Sequence, residues 1–178
     1  MIRYTAFLRG INVSGQKKVQ MLELRNVLNQ LGLKNVTTYI QSGNVVFETL
    51  KTDVKKLSIT IQNTIESHFG FEIPVLVKTQ AEIERIITDC PFSEEQKDSS
   101  YYVLFYTKPE EEKLISLSKE SYPNETFHIT SSCVYLFCEK GYGRAKCTNN
   151  FFERKLKIIA TTRNHKTMLK LLSLCAEN

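Results

Sequence analysis

The stretch VTTYIQSGNVVFE, residues 36–48, decides the fold expected for this chain. Residues 36–40 are rich in β-branched and aromatic side chains, which is typical of a strand. Ser42, Gly43 and Asn44 have the chemistry of a tight turn, in which the Asn44 side chain is expected to hydrogen-bond the turn itself. Residues 45–48 return as a second strand, so the stretch predicts an antiparallel hairpin.

One helix and one strand are predicted on each side of this hairpin. Upstream, residues 4–11 predict a buried strand, and apolar residues from position 21 to position 31 recur at helical spacing. Downstream, Thr52 and Asp53 can begin an amphipathic helix that Gly70 ends, and residues 73–77 predict the last strand. The order strand, helix, strand, strand, helix, strand is that of a ferredoxin-like unit, an antiparallel sheet with both helices on one face.

A similar order follows in the second half of the chain. Thr79 and Glu82 have the spacing of a capping box before a short helix. Strands are then predicted at 101–107, 126–129, 133–138 and 157–161. The middle two form a hairpin, and a helix is predicted on each side of it. Thr162 is expected to cap a final helix. We therefore expect an α+β protein of two ferredoxin-like (βαββαβ) halves with antiparallel sheets, residues 1–79 and 80–178, packed as one compact unit with an extra C-terminal helix.

Composition excludes several classes of protein. The chain has 178 residues, of which 42% are hydrophobic and 24% charged, which is ordinary globular usage and argues against disorder, collagen and repeat arrays. No apolar stretch approaches the roughly 18 residues of a membrane span, and Arg3 and Arg9 interrupt the start where a signal peptide needs an apolar core. The odd number of cysteines, five, favours free thiols in a reducing cytoplasm.

Charge is unevenly distributed along the chain. The net charge is +5, but residues 140–170 hold nine Lys or Arg and one Glu. This basic segment favours anionic partners, and binding of nucleic acid is one open interpretation. A solvated helical face is the other. Cys147 lies beside Lys146 and Arg144, which makes it the candidate for a reactive thiol, whereas the remaining cysteines are expected in the core.

Three polar segments interrupt otherwise apolar elements: residues 8–18 (LRGINVSGQKK), 41–44 (QSGN) and 161–167 (TTRNHKT). The first runs from a strand through a loop to a helix, where N–H groups can hold an anion. Gly10 and Gly15 have the spacing of a nucleotide-triphosphatase loop, but Gln16 occupies the position that requires Lys, so that motif is excluded. A looser phosphate-binding loop and a plain turn both stay open.

We expect the three segments to converge on a site for a small anionic ligand, a nucleotide or another phosphate-bearing metabolite. The residues expected to bind it are Arg9, Gly10, Asn12, Lys17, Ser42, Gly43, Asn44, Thr162, Arg163 and Asn164. No acid–base pair is evident, so no catalytic residue is assigned and enzymatic activity stays open. No metal and no cofactor are expected. The alternatives are a nucleic-acid-binding protein that uses residues 140–170, and a non-catalytic interaction module whose motifs only join the two halves.

At these segments the chain resembles the family known as domain of unknown function 1697. The resemblance rests on LRGINV (residues 8–13), TYIQSGNVVF (residues 38–47) and TTRNHKT (residues 161–167), whose order and spacing span nearly the whole chain. His165 stands where the family usually has Trp. The resemblance implies a soluble, mostly bacterial, intracellular protein with ferredoxin-like α+β architecture, and it implies no established activity.

Overall fold

The computed structural model describes residues 1–177, which divide into two units. Met1–Glu84 form the first unit together with the C-terminal segment that begins at Lys170, and Arg85–Leu169 form the second. Among the described residues, no helix combines the length and the apolar character needed to cross a membrane.

The first unit has the predicted ferredoxin-like order. Its elements are β1 (Ile2–Leu8), α1 (Met21–Gln30), β2 (Lys34–Tyr39), β3 (Asn44–Thr49), α2 (Val54–Phe69) and β4 (Val75–Thr79). The strands form one antiparallel sheet in the order β2-β3-β1-β4. Alternate side chains of β1, such as Tyr4 and Ala6, share a core with the buried sides of α1 and α2. Both helices therefore cover the same face of this sheet.

Local sequence signals set several helix ends as predicted. The Asp53 carboxylate accepts the N–H of Lys56 at 2.9 Å at the start of α2, and Gly70 ends that helix with φ 79°. Thr79 and Glu82 form the capping box before α3 (Gln80–Thr88): the Thr79 N–H donates to Glu82 Oε2 at 2.8 Å, and the Glu82 N–H donates to Thr79 Oγ1 at 3.2 Å. Each pair satisfies N–H groups that a helix start leaves without partners.

The second unit repeats the topology of the first. Its elements are α4 (Glu94–Lys97), β5 (Ser100–Phe105), α5 (Glu111–Ser118), β6 (Glu125–Ile129), β7 (Cys133–Cys138), a single 3₁₀ turn (Tyr142–Arg144), α6 (Asn149–Leu156) and β8 (Ala160–Asn164), after which α7 (His165–Ala176) begins. The sheet order is β6-β7-β5-β8, again antiparallel throughout. Val103, Leu136 and Phe152 lie in its core. The expected fold class, two similar α+β halves with antiparallel four-stranded sheets, is confirmed.

The TTRN segment differs from the prediction, because it is a strand and not a helix start. Residues 161–164 pair with β5, and α7 begins only at the next residue. Thr162 Oγ1 donates to Asn149 Oδ1 at 2.8 Å, whereas Asn164 Oδ1 accepts the N–H of Thr167 at 2.8 Å. The expectation that Thr162 caps the final helix is therefore wrong: pairing with β5 holds Thr162 extended, and Asn164 is the cap.

The carboxyl end of α7 is bound to β1 of the first unit. Arg3 Nη1 donates to the main-chain oxygens of Leu174 and Cys175, each at 3.2 Å, while Arg3 Nε donates to Glu48 at 2.7 Å. Thr5 Oγ1 lies 3.3 Å from Cys175 Sγ. A cation at a helix carboxyl end satisfies open carbonyls and complements the helix dipole. Arg3 thus links the last turn of α7 to the sheet.

Candidate anion-binding loop

The SGN turn contacts the end of β1 at Gly43. The main-chain oxygen of Gly43 accepts the N–H of Leu8 at 2.8 Å. Gly43 has φ 82°, and a Cβ placed on it would lie 2.6 Å from Leu8 Cβ and 3.2 Å from Ile11 Cδ1. Glycine is required here both for the left-handed backbone and for the close approach. The turn and the first polar segment therefore form one connected structure.

Asn12 joins this turn to both ends of the loop that follows β1. Its Oδ1 accepts the N–H of Val19 at 2.8 Å, and its Nδ2 donates to the main-chain oxygens of Val19 and Gln41, each at 2.9 Å. Its own N–H donates to the Lys17 oxygen at 3.1 Å. Asn tolerates the left-handed backbone found here, φ 54°. Asn12 therefore closes the loop and holds it against the SGN turn.

Asn44 is fully buried at the start of β3 and stabilises the hairpin from inside. Its Nδ2 donates to the main-chain oxygen of Tyr39 at 3.2 Å and to Ser42 Oγ at 2.9 Å. These bonds lie within the turn, as the turn chemistry predicts. Asn44 thus fixes the position at which Ser42 is exposed.

The loop of residues 10–17 contains an unusual number of left-handed residues. The angle φ is positive at Gly10 (71°), Asn12 (54°), Ser14 (51°), Gly15 (73°) and Lys17 (45°). Gly10, Ser14 and Gly15 are exposed, and their N–H groups have no hydrogen-bond partner among residues 1–177. Exposed main-chain N–H groups of this kind are available to an anion.

Positive side chains adjoin this loop. Lys17 Nζ donates to the main-chain oxygen of Glu72 at 2.7 Å. Lys18 is exposed, and in the described chain its side chain has neither a hydrogen bond nor an ion pair. Arg9 is half-buried, and its main-chain N–H donates to the Pro74 oxygen at 3.0 Å. From the sequence, Lys17 was expected to bind the ligand and Lys18 was not. The structure distinguishes the two by the contact between Lys17 and Glu72, which the local sequence does not reveal.

The remaining predicted ligand residues belong to the second unit. Arg163 is buried, and its Nη1 donates to Thr161 Oγ1 at 2.7 Å and to the Thr162 oxygen at 2.8 Å. Burial lowers the pKa of this guanidinium to about 10, so Arg163 is still a cation at neutral pH. Thr162 and Asn164 make the strand and cap contacts described above. The structure thus brings the first two polar segments together within one unit and gives the third segment hydrogen bonds within the other.

Cys147 does not have the environment of a reactive thiol, so that expectation is wrong. Its side chain is fully buried, and burial, followed by the hydrogen bond to the Glu125 carboxylate, raises its pKa well above the usual range. All five cysteines are buried thiols that form no disulfide. Nowhere in the described residues do three or more His, Cys, Asp or Glu side chains lie together in a way that could hold a metal ion.

His165 makes a buried contact that its sequence neighbours do not indicate. Its Nδ1 lies 2.7 Å from the Tyr102 hydroxyl, 63 positions away in the chain, and the two rings stack with centroids 5.8 Å apart. Burial is the main cause that lowers the pKa of His165 below 6.5, and the positive charge of Lys97 adds to it. The imidazole is therefore neutral at pH 7 and belongs to the packed interior of its unit.

Comparison with known proteins agrees with this architecture. A family model described as a protein of unknown function (DUF1697) matches residues 1–135, which include the first two polar segments. The solved structure of the conserved bacterial protein SP0830 from Streptococcus pneumoniae is similar to the chain, with 24% sequence identity, a TM-score of 0.74 and coverage of 98% of each chain. That likeness concerns the fold. No match was found among curated proteins.

Proposed function

The chain belongs to the DUF1697 family of proteins of unknown function, and we propose that it binds a small anionic ligand, a nucleotide or another phosphate-bearing metabolite, at the loop of residues 10–17 and the adjoining Lys18, beside the SGN turn. One observation carries this proposal. Five residues between positions 10 and 17 have positive φ. Residues held in such conformations cluster at binding sites, where the surrounding structure compensates their cost.

Three features of this loop suit an anion. The exposed N–H groups of Gly10, Ser14 and Gly15 supply hydrogen bonds. Lys17 and Lys18 supply positive charge next to those groups. Neither Gly10 nor Gly15 has an atom within 4 Å of the position that a Cβ would occupy, so ligand atoms can approach the main chain there.

The other expected ligand residues of this unit receive distinct roles. Ser42 contributes a hydroxyl at the exposed end of the turn. Asn12 and Asn44 position the loop and the turn through the hydrogen bonds described above. Gly43 permits the close contact with β1, and Arg9 contributes positive charge at the point where β1 ends. We place the ligand contacts in the first unit only, because the side chains of the TTRN segment are hydrogen-bonded in the second.

A thermal-shift screen against nucleotides, sugar phosphates and small carboxylates tests the proposal. A ligand present at about 100 times its Kd adds roughly 2.7 kcal/mol of stability. For a chain of this length that stabilisation corresponds to an increase in Tm of roughly 5–10 °C. We expect Lys18→Gln to reduce the ligand-induced increase in Tm, because this substitution removes a positive charge without breaking a contact of the folded chain.

Lys51→Gln is the matched control. Lys51 is also exposed, but it follows β3 at the end away from the turn. A six-residue strand spans roughly 20 Å, which is about twice the distance over which salt screens charges at physiological ionic strength. Two results contradict a site at this loop. One is a Tm increase that is unchanged in both Lys18→Gln and Lys17→Gln, and the other is a Tm increase that Lys51→Gln reduces equally. A flat screen contradicts the ligand class.

A further inference from the structure

The second unit contains a cavity lined by positively charged side chains, none of which belongs to the proposed loop site. Its volume is about 170 Å³, and it lies between the start of β6 and the loop that follows β7. Lys140, Arg144 and Lys146 line it together with Glu125. All three cations are exposed, and within the described part of the chain their side chains make no hydrogen bond and no ion pair. Three cations around one cavity repel one another unless anions neutralise them.

The one carboxylate of the cavity is already bound by the loop itself. Glu125 accepts the N–H of Lys146 at 2.7 Å and the N–H of Cys147 at 2.6 Å. Burial opposes the ionisation of Glu125, but the hydrogen bonds from Cys147 and Lys146 outweigh it and lower its pKa. Glu125 is therefore an anion that holds the loop in place. It offsets one of the three positive charges and leaves two.

We propose that this cavity binds a phosphate group, supplied either by a free phosphate or phosphomonoester or by the backbone of a nucleic acid. The two remaining positive charges match one phosphomonoester dianion or two neighbouring backbone phosphates of a nucleic acid. Arg144 offers the planar fork that binds phosphate oxygens in pairs, and the two lysines offer ammonium groups. The volume holds several water molecules at about 30 Å³ each, which is enough for a phosphate group with its five heavy atoms.

The loop also gives a ligand access to its main chain. Gly141 has φ 80°, and no atom lies within 4 Å of the position of a Cβ on Gly141 or on Gly143. Gly141 directly precedes the 3₁₀ turn and Gly143 lies within it, and both border open space. This site lies in the second unit and does not depend on the proposed loop site in the first.

Inorganic phosphate is the first probe, titrated into the isotope-labelled full chain while amide resonances are followed. We expect the largest changes at residues 124–125 and 140–147. The double variant Lys140→Gln/Arg144→Gln should weaken binding at least tenfold, since a charge-assisted hydrogen bond corresponds to roughly tenfold to hundredfold in affinity. Arg144→Lys keeps the positive charge and loses the planar guanidinium. Its affinity for phosphate should lie between that of the unaltered chain and that of the double variant.

Lys108→Gln is the matched control in the same unit. Lys108 is exposed and follows β5 at the end paired with Cys133, whereas the cavity lies at Cys138, the other end of β7. Three results would overturn the proposal. They are resonance changes spread evenly over the chain, an equal loss of phosphate affinity in Lys108→Gln, and unchanged phosphate binding in the double variant. Lys18→Gln should leave the response at residues 140–147 intact, which separates this site from the proposed function.

Two further probes identify the source of the phosphate. Ribose 5-phosphate that binds at the same resonances, with no response to short single-stranded DNA, assigns a phosphomonoester. DNA that binds more tightly than inorganic phosphate assigns a nucleic acid. In that case the slope of log K against log salt should fall by roughly 0.7 for each cation removed from the cavity. Failure of all three probes at residues 140–147 overturns the proposal.

Discussion

Replacement of Gly43 by alanine tests the contact on which the candidate loop depends. Gly43 lies in the SGN turn with φ 82°, and an added methyl group would be 2.6 Å from Leu8 Cβ and 3.0 Å from the Leu8 oxygen. Leu8 cannot move these atoms by changing a rotamer, because one is main chain and the other is attached to it. Either the turn or the end of β1 must shift.

Two costs add in this variant. A residue with a Cβ in the left-handed region costs about 1–2 kcal/mol, and overpacking of a tight site costs about 1–3 kcal/mol. We therefore expect Gly43→Ala to destabilise the chain by roughly 2–5 kcal/mol. Gly70→Ala is the matched control, since Gly70 has φ 79° and nothing within 4 Å of its Cβ position. It should show only the first cost.

Urea unfolding followed by circular dichroism and tyrosine fluorescence measures the difference. Tyrosine is the suitable fluorophore because the chain has eight Tyr and no Trp. In thermal unfolding, the Tm of Gly43→Ala should fall by roughly 4–20 °C, at about 2–4 °C per kcal/mol for a chain of this length. Neutral substitutions usually change the free energy of unfolding by no more than about 0.5 kcal/mol. If the free energies of unfolding of the two variants agree within that range, the close approach of turn and strand is refuted.

The other two predictions concern a helix start and a buried imidazole. Thr79→Ala removes the hydroxyl that accepts a main-chain N–H at the start of α3, and it should cost about 1 kcal/mol in urea unfolding, whereas Thr79→Ser should keep most of the stability. Because the folded structure lowers the pKa of His165 below 6.5, the unfolded chain binds more protons at mildly acidic pH, and stability should fall as the pH drops through 6.5. His165→Asn should reduce this loss between about pH 7.5 and the lower folded pKa. An unchanged pH profile in His165→Asn would contradict the buried contact with Tyr102.

The elements that sequence reasoning predicted correctly depend on neighbours in the chain. Asp53 and Gly70 mark the two ends of α2, and Thr79 with Glu82 marks the start of α3. Their hydrogen bonds span a single helical turn, so residue type and spacing are sufficient. The hairpin around the SGN turn follows for the same reason, since a tight turn pairs the strands on either side of it.

The errors arise where a distant strand or a buried environment determines the outcome. Thr162 has a favourable residue type for a helix cap, but pairing of its segment with β5 holds it extended. Cys147 follows a lysine, yet burial and the Glu125 carboxylate control its thiol. In neither case does the local sequence contain the partner, because β5 and Glu125 precede these residues by more than 20 positions.

The sequence by itself therefore determined the class of fold and the polar segments that interrupt it. Alternation and helical spacing are local, and they assign strands and helices before any tertiary contact forms. Only the tertiary structure decided how the polar residues are used. Folding gives the Lys17 ammonium a carbonyl partner and leaves that of Lys18 exposed, and it places Lys140 beside Lys146 around one cavity. The physical reason is that hydrogen bonds and cavities form between segments far apart in the chain, where spacing carries no information.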